Sequence, residues 1–520
     1  MLDFTEKFDM ERVGIANHAR LIPDRTAIIM DDFRITYGEL HIMTNAVANG
    51  LLNLGVKPGD RIAVLLHNCP EFLVAWTAAG KLAVTPIALN YRFKSDELAY
   101  IINDSDAKIL IYGSEFQELV DEAKPKFTLS SINFVCVGSP PSPDVMSLDR
   151  LIEENSTDMP KVETGAAAVA PSLIYTSGTT GRPKGVVRGV KNRINSLLGY
   201  AHSFESTYDD TVLIPGPLYH SAPFAWAAFS AILGNTIVIM PRFDAEGFLR
   251  LIQEHQVTTT LVVPTMLNRI VNLPDDVKEK YDLSSLRVMT AGAESFPFPL
   301  KKQTVDFFGQ EKLFEFYGGT EIALVTRIRP EDQLKKPGSC GTPIMGSDIR
   351  LLDENKNDVP EGDVGIVYIK SSFLLDEYFR NPEATQANTY EGYFTVGDMA
   401  RVDEDGFYYI VDRAVDMIIS GGVNIYPAEI EEVLYRHPDI YDAGIIGVPD
   451  PDWGEKIVAY VLPKPGASPV ADDIINHVAD NLASYKKPKE VIFVDELPYS
   501  PSGKLLKREL REEYKKQSGE

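Results

Sequence analysis

The stretch "YTSGTTGRPKGV", from Tyr175 to Val186, concentrates hydroxyl residues and glycines around Lys184. Glycines let backbone N–H groups approach an anion closely, and hydroxyls and a lysine add further donors. This chemistry suits a polyphosphate. The stretch is not a Walker A loop, because it lacks the Gly-Lys-Ser/Thr ending and Pro183 stands where the glycine would be. A solvated surface hairpin is the alternative, which the density of donors disfavours.

Other reactive residue types form no catalytic set by spacing alone. The chain has eight scattered histidines and no G-x-S-x-G elbow, so a hydrolase triad has no support. His220, in "PLYHSAP", is either a satisfied core histidine or part of a binding pocket. Cys69, Cys136 and Cys340 lie too far apart to indicate a zinc site or a disulfide framework. This cysteine usage is typical of a reducing compartment, and we expect a cytoplasmic protein.

Length and charge narrow the function classes. A chain of 520 residues exceeds what one hydrophobic core usually serves, so we expect at least two domains. The formal net charge is −24, which disfavours a nucleic-acid partner and loose docking on an anionic membrane. The N-terminal "MLDFTEKFDMERVG" lacks the apolar core of a secretory signal. Gly234 and Asn235 divide the apolar run from Ala222 to Met240 into a helix and a strand, each too short to span a bilayer.

The residue patterns predict the elements that position these groups. Over the first four hundred residues strand-like and helix-like segments alternate, which is typical of a layered α/β domain with buried strands. The predicted strands include "RIAVLL", "KILIYG", "TTLVVP" and "LRVMTAGAE", and the predicted helices include "PEFLVAWTAAGKL" and Thr265–Asn272.

After about Asp412 the pattern changes to a small α+β domain of about a hundred residues. Pro427 and the acids that follow it predict a helix N-terminus in "YPAEIEEVLYRHP". The strands "DAGIIGVPD" and "KIVAYVLPK" and the helix "VADDIINHVADNLA" follow it. The junction lacks a Gly/Ser/Pro run, so we expect two domains that swing on a short connector.

At this point the motifs resemble those of the adenylate-forming superfamily, which includes acyl-CoA synthetases. The opening stretch resembles its phosphate loop, and the other motifs follow in the family's order over nearly the whole chain. They are "ITYGEL", "GVKPGDRIAVLLHNCPEF", "FYGGTE", "YFTVGD", "DRAVDMIISGGVNIYPAEIE" and "LPYSPSGKLLKREL". The resemblance implies a large layered α/β N-terminal domain and a small mobile α+β C-terminal domain. We expect the first at 1–412, a hinge at 413–416 and the second at 417–520.

The resemblance implies sites for ATP and Mg²⁺. An acid that displaces pyrophosphate from ATP needs positioning and cationic stabilisation, because carboxylate and triphosphate repel each other. Glu321 is implied to hold the magnesium ion, Thr320 to contact the α-phosphate, and Lys504 to bridge the carboxylate and α-phosphate during adenylation. Tyr317 is implied to stack on adenine and Asp398 to accept the ribose hydroxyls. The implied ATP- and AMP-binding set is Thr176, Ser177, Gly178, Thr179, Thr180, Gly181, Lys184, Tyr317, Asp398, Arg413 and Asn424.

Thioester formation is implied to use a second domain orientation. In the family the small domain rotates, so that coenzyme A enters beside a glycine turn, here Gly421 and Gly422 in "SGGVN". Val415 stands at the hinge position that usually holds Asp or Lys. The lysines of "YKKPK" form a basic cluster that suits either a CoA phosphate or simple solvation.

The sequence defines the acid substrate less closely than it defines the nucleotide site. The implied acyl pocket comprises His220, Ala291, Gly292, Gly318 and Gly319. The stretches "AGAE" (Ala291–Glu294) and "HSAPFAWAAF" add small and apolar lining candidates. Gly318 and Gly319 stand where acetate-specific relatives carry a tryptophan, which implies a deeper pocket. We therefore expect a medium- or long-chain fatty acid first, and an aryl or alicyclic acid second.

Other activities remain open from the sequence. They are an acyl-AMP ligase that loads a carrier protein, a luciferase-like oxygenase and a non-enzymatic nucleotide sensor. The expected partners are the acid, ATP and CoA, without nucleic acid or a transmembrane segment. The sequence is compatible with a homodimer.

Overall fold

The computed structural model describes residues 13–128, 132–142, 145–162, 171–176, 183–189, 199–294, 296–413, 416–420, 423–451, 453–499 and 505–518. Its helices are α1 Ile15–Leu21, α2 Tyr37–Asn53, α3 Pro70–Lys81, α4 Ser95–Ser105, α5 Gln117–Ala123, α6 Leu148–Glu154, α7 Ser221–Leu233, α8 Ala245–His255, α9 Pro264–Val271, α10 Asp275–Lys278, α11 Phe298–Phe308, α12 Pro382–Ala387, α13 Pro427–Leu434, α14 Ala471–Asn481 and α15 Lys507–Ser518.

The strands of the first half are β1 Thr26–Met30, β2 Phe33–Thr36, β3 Arg61–Leu65, β4 Thr85–Ala88, β5 Ile109–Gly113, β6 Asn133–Val137, β7 Met146–Ser147, β8 Ser172–Thr176, β9 Lys184–Arg188, β10 Thr211–Ile214, β11 Thr236–Ile239 and β12 Thr259–Val262. Those of the second half are β13 Val288–Gly292, β14 Leu313–Gly319, β15 Ala323–Ile328, β16 Thr342–Pro343, β17 Ser347–Leu352, β18 Gly365–Ser371, β19 Glu377–Tyr378, β20 Thr389–Tyr390, β21 Tyr393–Phe394, β22 Asp398–Val402, β23 Tyr408–Arg413, β24 Ile418–Ser420, β25 Val423–Ile425, β26 Ile440–Asp450, β27 Gly454–Pro463 and β28 Glu490–Phe493.

Two large, mostly parallel sheets form the layered α/β part. One has the order β19-β9-β8-β4-β3-β5-β6-β7, and the other has the order β16-β15-β14-β13-β12-β10-β11-β1-β2. Helices cover the central strands, and the strands are apolar on both faces, as buried parallel sheets require. Ile62, Ala63, Val64 and Leu65 of β3, for example, are all buried. The predicted α/β architecture is therefore confirmed.

Local signals set the ends of several helices. At the start of α2, Glu39 N donates to Thr36 Oγ1 at 3.2 Å, and Thr36 N donates to Glu39 Oε2 at 2.8 Å. This is a capping box, which satisfies two otherwise orphaned donors. Helix α7 ends before Gly234, whose φ of 87° is open to glycine at low cost. The apolar run from Ala222 thus divides into a helix and a strand, as predicted. No helix of the described ranges is both long and apolar enough to cross a membrane.

The segment from Ser347 to Arg413 departs from the predicted alternation of strands and helices. It forms an antiparallel sheet with the order β20-β21-β18-β22-β23, to which β17 adds beside β18. Leu351, Val367 and Ile369 pack in an apolar cluster that they share with Val186 of β9 and Val325 of β15. An antiparallel sheet can keep one face exposed to solvent, so its strands do not need a covering helix at every connection, and α12 is the one described helix within this segment.

The C-terminal part is an α+β unit, as predicted. Its sheet has the order β25-β24-β27-β26, and β28 pairs with β27. Helix α13 begins at Pro427, where the missing N–H costs no hydrogen bond. Helix α13 packs Ile430 against one sheet face, and α15 packs Leu510 into a second apolar cluster. The domain limits at 1–412, 413–416 and 417–520 remain a prediction.

Candidate active site

Strands β8 and β9 bring the two ends of the predicted phosphate loop together. Thr176 and Lys184 are cross-strand partners in an antiparallel pair. Thr176 Oγ1 lies 3.4 Å from Glu321 Oε1, and Lys184 Nζ lies 5.3 Å from the centre of the Tyr378 ring. The predicted loop residues Ser177, Gly178, Thr179, Thr180 and Gly181 lie outside the described residues.

The turn between β14 and β15 carries Thr320 and Glu321. Ser221 Oγ, at the start of α7, lies 3.1 Å from Thr320 Oγ1. The Glu321 carbonyl accepts a hydrogen bond from Leu375 N at 2.8 Å, and Tyr378 OH donates to Glu321 Oε1 at 3.3 Å. The turn is therefore held from two sides, and its carboxylate faces hydroxyl groups.

The oxygens around Glu321 suit Mg²⁺. The described part of the chain contains no group of three or more His, Cys, Asp or Glu that could hold a metal ion. Mg²⁺ commonly binds through one or two carboxylates together with substrate phosphates and water. One carboxylate beside two hydroxyls, next to the strands that flank the predicted phosphate loop, fits that requirement.

A second cluster forms around Asp398, at the start of β22. Tyr317 OH donates to Asp398 Oδ2 at 2.6 Å, and Arg413 Nε lies 3.2 Å from Asp398 Oδ1. Burial, and then the Asp398 charge, raise the pKa of the Tyr317 hydroxyl. Burial disfavours the Arg413 cation, but its carboxylate neighbours, Asp398 first, raise its pKa overall. The cluster thus holds a carboxylate, a phenol and a guanidinium within hydrogen-bonding distance of one another.

These groups line one cavity with an apolar extension. Thr176, Lys184, His220, Thr320 and Glu321 line it, and so do Tyr317, Gly318, Gly319, Asp398 and Arg413. An aromatic wall continues beyond His220, the residue before α7. Tyr200 lies 4.7 Å from Trp226 and 4.7 Å from Phe229 between ring centres. Trp226 and Phe229 belong to the predicted lining stretch "HSAPFAWAAF", whereas Tyr200 lies outside every motif.

Two predicted pocket residues do not line the cavity. Ala291 is fully buried in an apolar core cluster, because its methyl group points into the layer below β13. A Cβ on Gly292 would lie 2.5 Å from the Phe316 ring, which covers it. Ala293 and Glu294 line the cavity instead. Of the predicted stretch Ala291–Glu294, the last two residues therefore line the cavity, and the first two, which end β13, do not.

The glycines at 318 and 319 leave less space for an acyl chain or a side chain than the sequence predicted. A Cβ on Gly318 would lie 2.0 Å from the Ala323 carbonyl oxygen. A Cβ on Gly319 would meet nothing closer than Ile322 Cγ1 at 3.5 Å. Gly318 therefore allows β14 to pass close to β15, and only position 319 has room for a side chain.

Several predicted residues lie outside the described ranges. They are Val415 at the predicted hinge, Gly421 and Gly422 in the predicted CoA turn, Lys504, and the side chain of Asn424. Of the basic cluster, Lys486 is bound to Glu429 Oε2 at 2.6 Å, so it is not an isolated cation. Lys489 Nζ lies 5.0 Å from the centre of the Trp453 ring.

Two residues that the motifs did not predict also reach the cavity. Tyr378 contacts both Lys184 and Glu321, from a two-residue strand that pairs with β9. Arg188, the last residue of β9, donates a hydrogen bond to the Thr320 carbonyl oxygen. A cation just after the predicted phosphate loop is the available sequence signal, but Arg188 lies beyond the loop motif.

Family models match most of the chain. Residues 15–379 match the model described as AMP-binding enzyme, and residues 429–504 match the AMP-binding enzyme C-terminal domain.

Curated relatives and solved structures cover nearly the whole length. The long-chain-fatty-acid–CoA ligase FadD13 of Mycobacterium tuberculosis is 35% identical over 93% of this chain and 94% of its own. The feruloyl-CoA synthase of an Amycolatopsis species is 34% identical over 95% of this chain and 97% of its own. The crystal structure of the anthranilate CoA ligase AuaEII in complex with anthranoyl-AMP has a TM-score of 0.89 at 26% identity and covers 98% of both chains.

Proposed function

Because the chain belongs to the AMP-binding, adenylate-forming enzymes and is an AMP-forming acyl-CoA synthetase, we propose that it activates a hydrophobic carboxylic acid larger than acetate. ATP and CoA are its co-substrates, and Mg²⁺ is typical of the family. A medium- or long-chain fatty acid is the favoured acid. The observation that carries this proposal is the aromatic wall of Tyr200, Trp226 and Phe229 beyond His220.

The proposed adenylation site uses the two polar clusters. Thr176 and Lys184, with the loop between them, bind the β- and γ-phosphates. Thr320 contacts the α-phosphate, and Glu321 holds Mg²⁺, which when bound neutralises charge on the phosphate oxygens. Tyr317 packs on the base, while Asp398 and Arg413 bind the ribose. The side chains support this division because their contacts separate into one cluster around Glu321 and another around Asp398.

In the proposed reaction the carboxylate attacks the α-phosphorus and pyrophosphate leaves. Lys504 stabilises the charge that this attack develops, which is the kind of interaction that lowers a barrier most. The thiol of CoA then attacks the acyl carbon, forms the thioester and releases AMP. The apolar wall excludes water from acyl-AMP and so protects it from hydrolysis.

A panel of acids with pyrophosphate release as the readout tests the substrate. It should contain straight-chain fatty acids from acetate to palmitate, together with ferulate, anthranilate and cyclohexanecarboxylate. We expect kcat/KM to rise with chain length beyond acetate, because each buried methylene adds about 0.8 kcal/mol of binding. A higher kcat/KM for the ring acids would overturn the fatty-acid assignment. AMP release that does not depend on CoA would indicate a different acceptor.

A further inference from the structure

Arg188 places a second cation beside the turn that carries Thr320 and Glu321. It ends β9, four residues after Lys184, so both side chains leave the same face of the strand. Its Nη2 donates to the Thr320 carbonyl oxygen, and the side chain lines the cavity. The Thr320 hydroxyl reaches Ser221 on the opposite side of the turn. Arg188 therefore approaches the reacting centre from the side of the phosphate-binding strand.

The charge of Arg188 is poorly compensated. Its Nε is buried and has no hydrogen-bond partner among the described residues. Burial outweighs the attraction of Glu321 and Asp376, and it lowers the pKa of the guanidinium to about 10. Asp376 is already engaged, because its Oδ2 accepts a hydrogen bond from Gly189 N at 2.6 Å. The segments 177–182 and 190–198, which flank β9 in the sequence, contain no Asp or Glu.

Leaving a donor of a buried cation without a partner is costly, and an arriving anion removes that cost. A guanidinium has a planar fork of donors that matches carboxylate and phosphate oxygens. Since Nη2 is taken by the protein backbone, an arriving oxygen would be bound by the remaining N–H groups of the guanidinium. The geometry suits a ligand atom rather than another structural contact.

We infer that Arg188 binds an anionic oxygen at the reacting centre, either of the acid's carboxylate or of the α-phosphoryl group. This inference rests on the proposed adenylation site and adds a residue to it. The role also explains why the guanidinium is hydrogen-bonded to Thr320. The same turn then directs the Thr320 hydroxyl and the Arg188 cation towards the oxygens of the reacting groups.

The test compares Arg188→Met and Arg188→Lys with a matched control, Arg327→Met. Arg327 also donates to a backbone carbonyl, that of Ser203 at 2.6 Å, and burial also lowers its pKa to about 10. It does not contribute to the cavity lining described above. Each purified variant is assayed for KM of ATP and of the acid in pyrophosphate release. The Tm is measured alone, with AMP and with the acid.

We expect Arg188→Met to raise one of the two KM values by about 10–100-fold, the loss of one charge-assisted hydrogen bond. Its Tm without ligand should stay at the wild-type value or rise, because an uncompensated charge is removed. Arg188→Lys should recover part of the loss, and Arg327→Met should leave both KM values unchanged. The KM that rises, with the matching loss of a ligand-induced Tm shift, tells carboxylate binding from α-phosphate binding.

Unchanged KM values and unchanged ligand-induced Tm shifts in Arg188→Met would overturn the inference. If the Tm without ligand also fell, Arg188 would have a structural role instead. If Arg188→Met does not fold, Arg188→Lys decides by the same criteria. The proposed function fails separately, when the wild-type protein turns over no acid of the panel. In that case the ligand-induced Tm shifts decide: loss of the shift by AMP or by the acid in Arg188→Met supports the inference, and retention of both shifts overturns it.

Discussion

At the scale of single residues, the cavity contains a buried ion pair that no motif requires. Lys301 Nζ lies 2.5 Å from Glu315 Oε2, and the two side chains are 1% and 10% exposed. The pair joins α11 to β14. Burial raises the pKa of the Glu315 carboxyl, while Lys301 opposes that rise. Removing one partner leaves a buried charge, which costs more than removing both.

Lys301→Met should therefore lower the free energy of unfolding by about 3–5 kcal/mol. The double variant Lys301→Met, Glu315→Leu should lose less than the single variant. Denaturation by urea, followed by tryptophan fluorescence, measures both. Arg250→Ala is the control, because its pair with Glu254 has half-exposed side chains and is worth less than about 1 kcal/mol. A double variant that loses more than Lys301→Met would contradict this account.

Gly318 and Gly319 allow a second comparison between single residues, because a side chain has space at only one of the two positions. Gly318→Ala should lower the Tm and the soluble yield, because its Cβ would overlap the Ala323 carbonyl oxygen. Gly319→Ala should have a Tm close to that of the wild type. Gly319→Trp should shift the acid preference towards shorter chains by filling space, without a change in KM for ATP. Equal effects of the two alanine substitutions on Tm would show that β14 and β15 can separate freely.

At the scale of elements, the end of β23 meets the start of α13 through Asp412. The carboxylate accepts hydrogen bonds from Arg413 N at 2.7 Å and from Ala428 N at 3.2 Å. Burial raises the pKa of Asp412 to about 6, and the Lys507 charge limits the rise. Lys507 in turn lies 2.9 Å from Glu431 Oε1. The contact between β23 and α13 therefore depends on the protonation state of Asp412.

The pH dependence of stability follows from that raised pKa. Between about pH 6 and pH 4 the folded protein binds a proton at Asp412 that the unfolded chain does not bind, so this carboxyl stabilises the fold as the pH falls. Its contribution is at most about 3 kcal/mol. Asp412→Asn should flatten the unfolding free energy between pH 4 and pH 7 relative to wild type. An unchanged pH profile in that variant would assign the titration to other groups.

The sequence predicts contiguous groups well and discontinuous ones poorly. Tyr317, Thr320 and Glu321 lie within one motif, so a single turn fixes their relation. Arg188 meets Thr320 only because β9 and the turn after β14 belong to different sheets that come together in space. The sheet from β17 to β23 was missed because antiparallel strands can be joined by turns, without a helix at each connection. Gly318 looked like free space because spacing alone does not give the direction of a Cβ.

At the scale of the whole molecule, the proposed division of labour between domains can be tested by separating the half-reactions. Lys504→Ala should lower the rate of acid-dependent pyrophosphate release by about 10²–10³-fold, because removal of one donor that stabilises transition-state charge typically costs that much. Thioester formation from supplied acyl-AMP should persist, because it uses the other face of the small domain. Near-normal adenylation in this variant would refute the role of Lys504.

The predicted hinge gives the complementary result. Proline at position 415 would fix φ near −65° and remove a backbone N–H. Val415→Pro should keep single-turnover pyrophosphate release within about threefold of wild type, a barrier change below about 1.4 kcal/mol. CoA thioester formation should fall far more. If both half-reactions fall together, Val415 is a packing position; if neither falls, the pivot lies elsewhere.

Strand β9 has a neighbouring strand on each side, which protects its amide hydrogens from exchange with water. It pairs with β8 along one edge and with β19 along the other, where Asp376 N and Phe379 N donate to Val187 O and Gly185 O. Its amide hydrogens can meet water only when at least one of these neighbours detaches. We therefore expect the amide hydrogens of the strand that begins at Lys184, which has a cation at each end, to exchange more slowly than those of the two-residue edge strand β19.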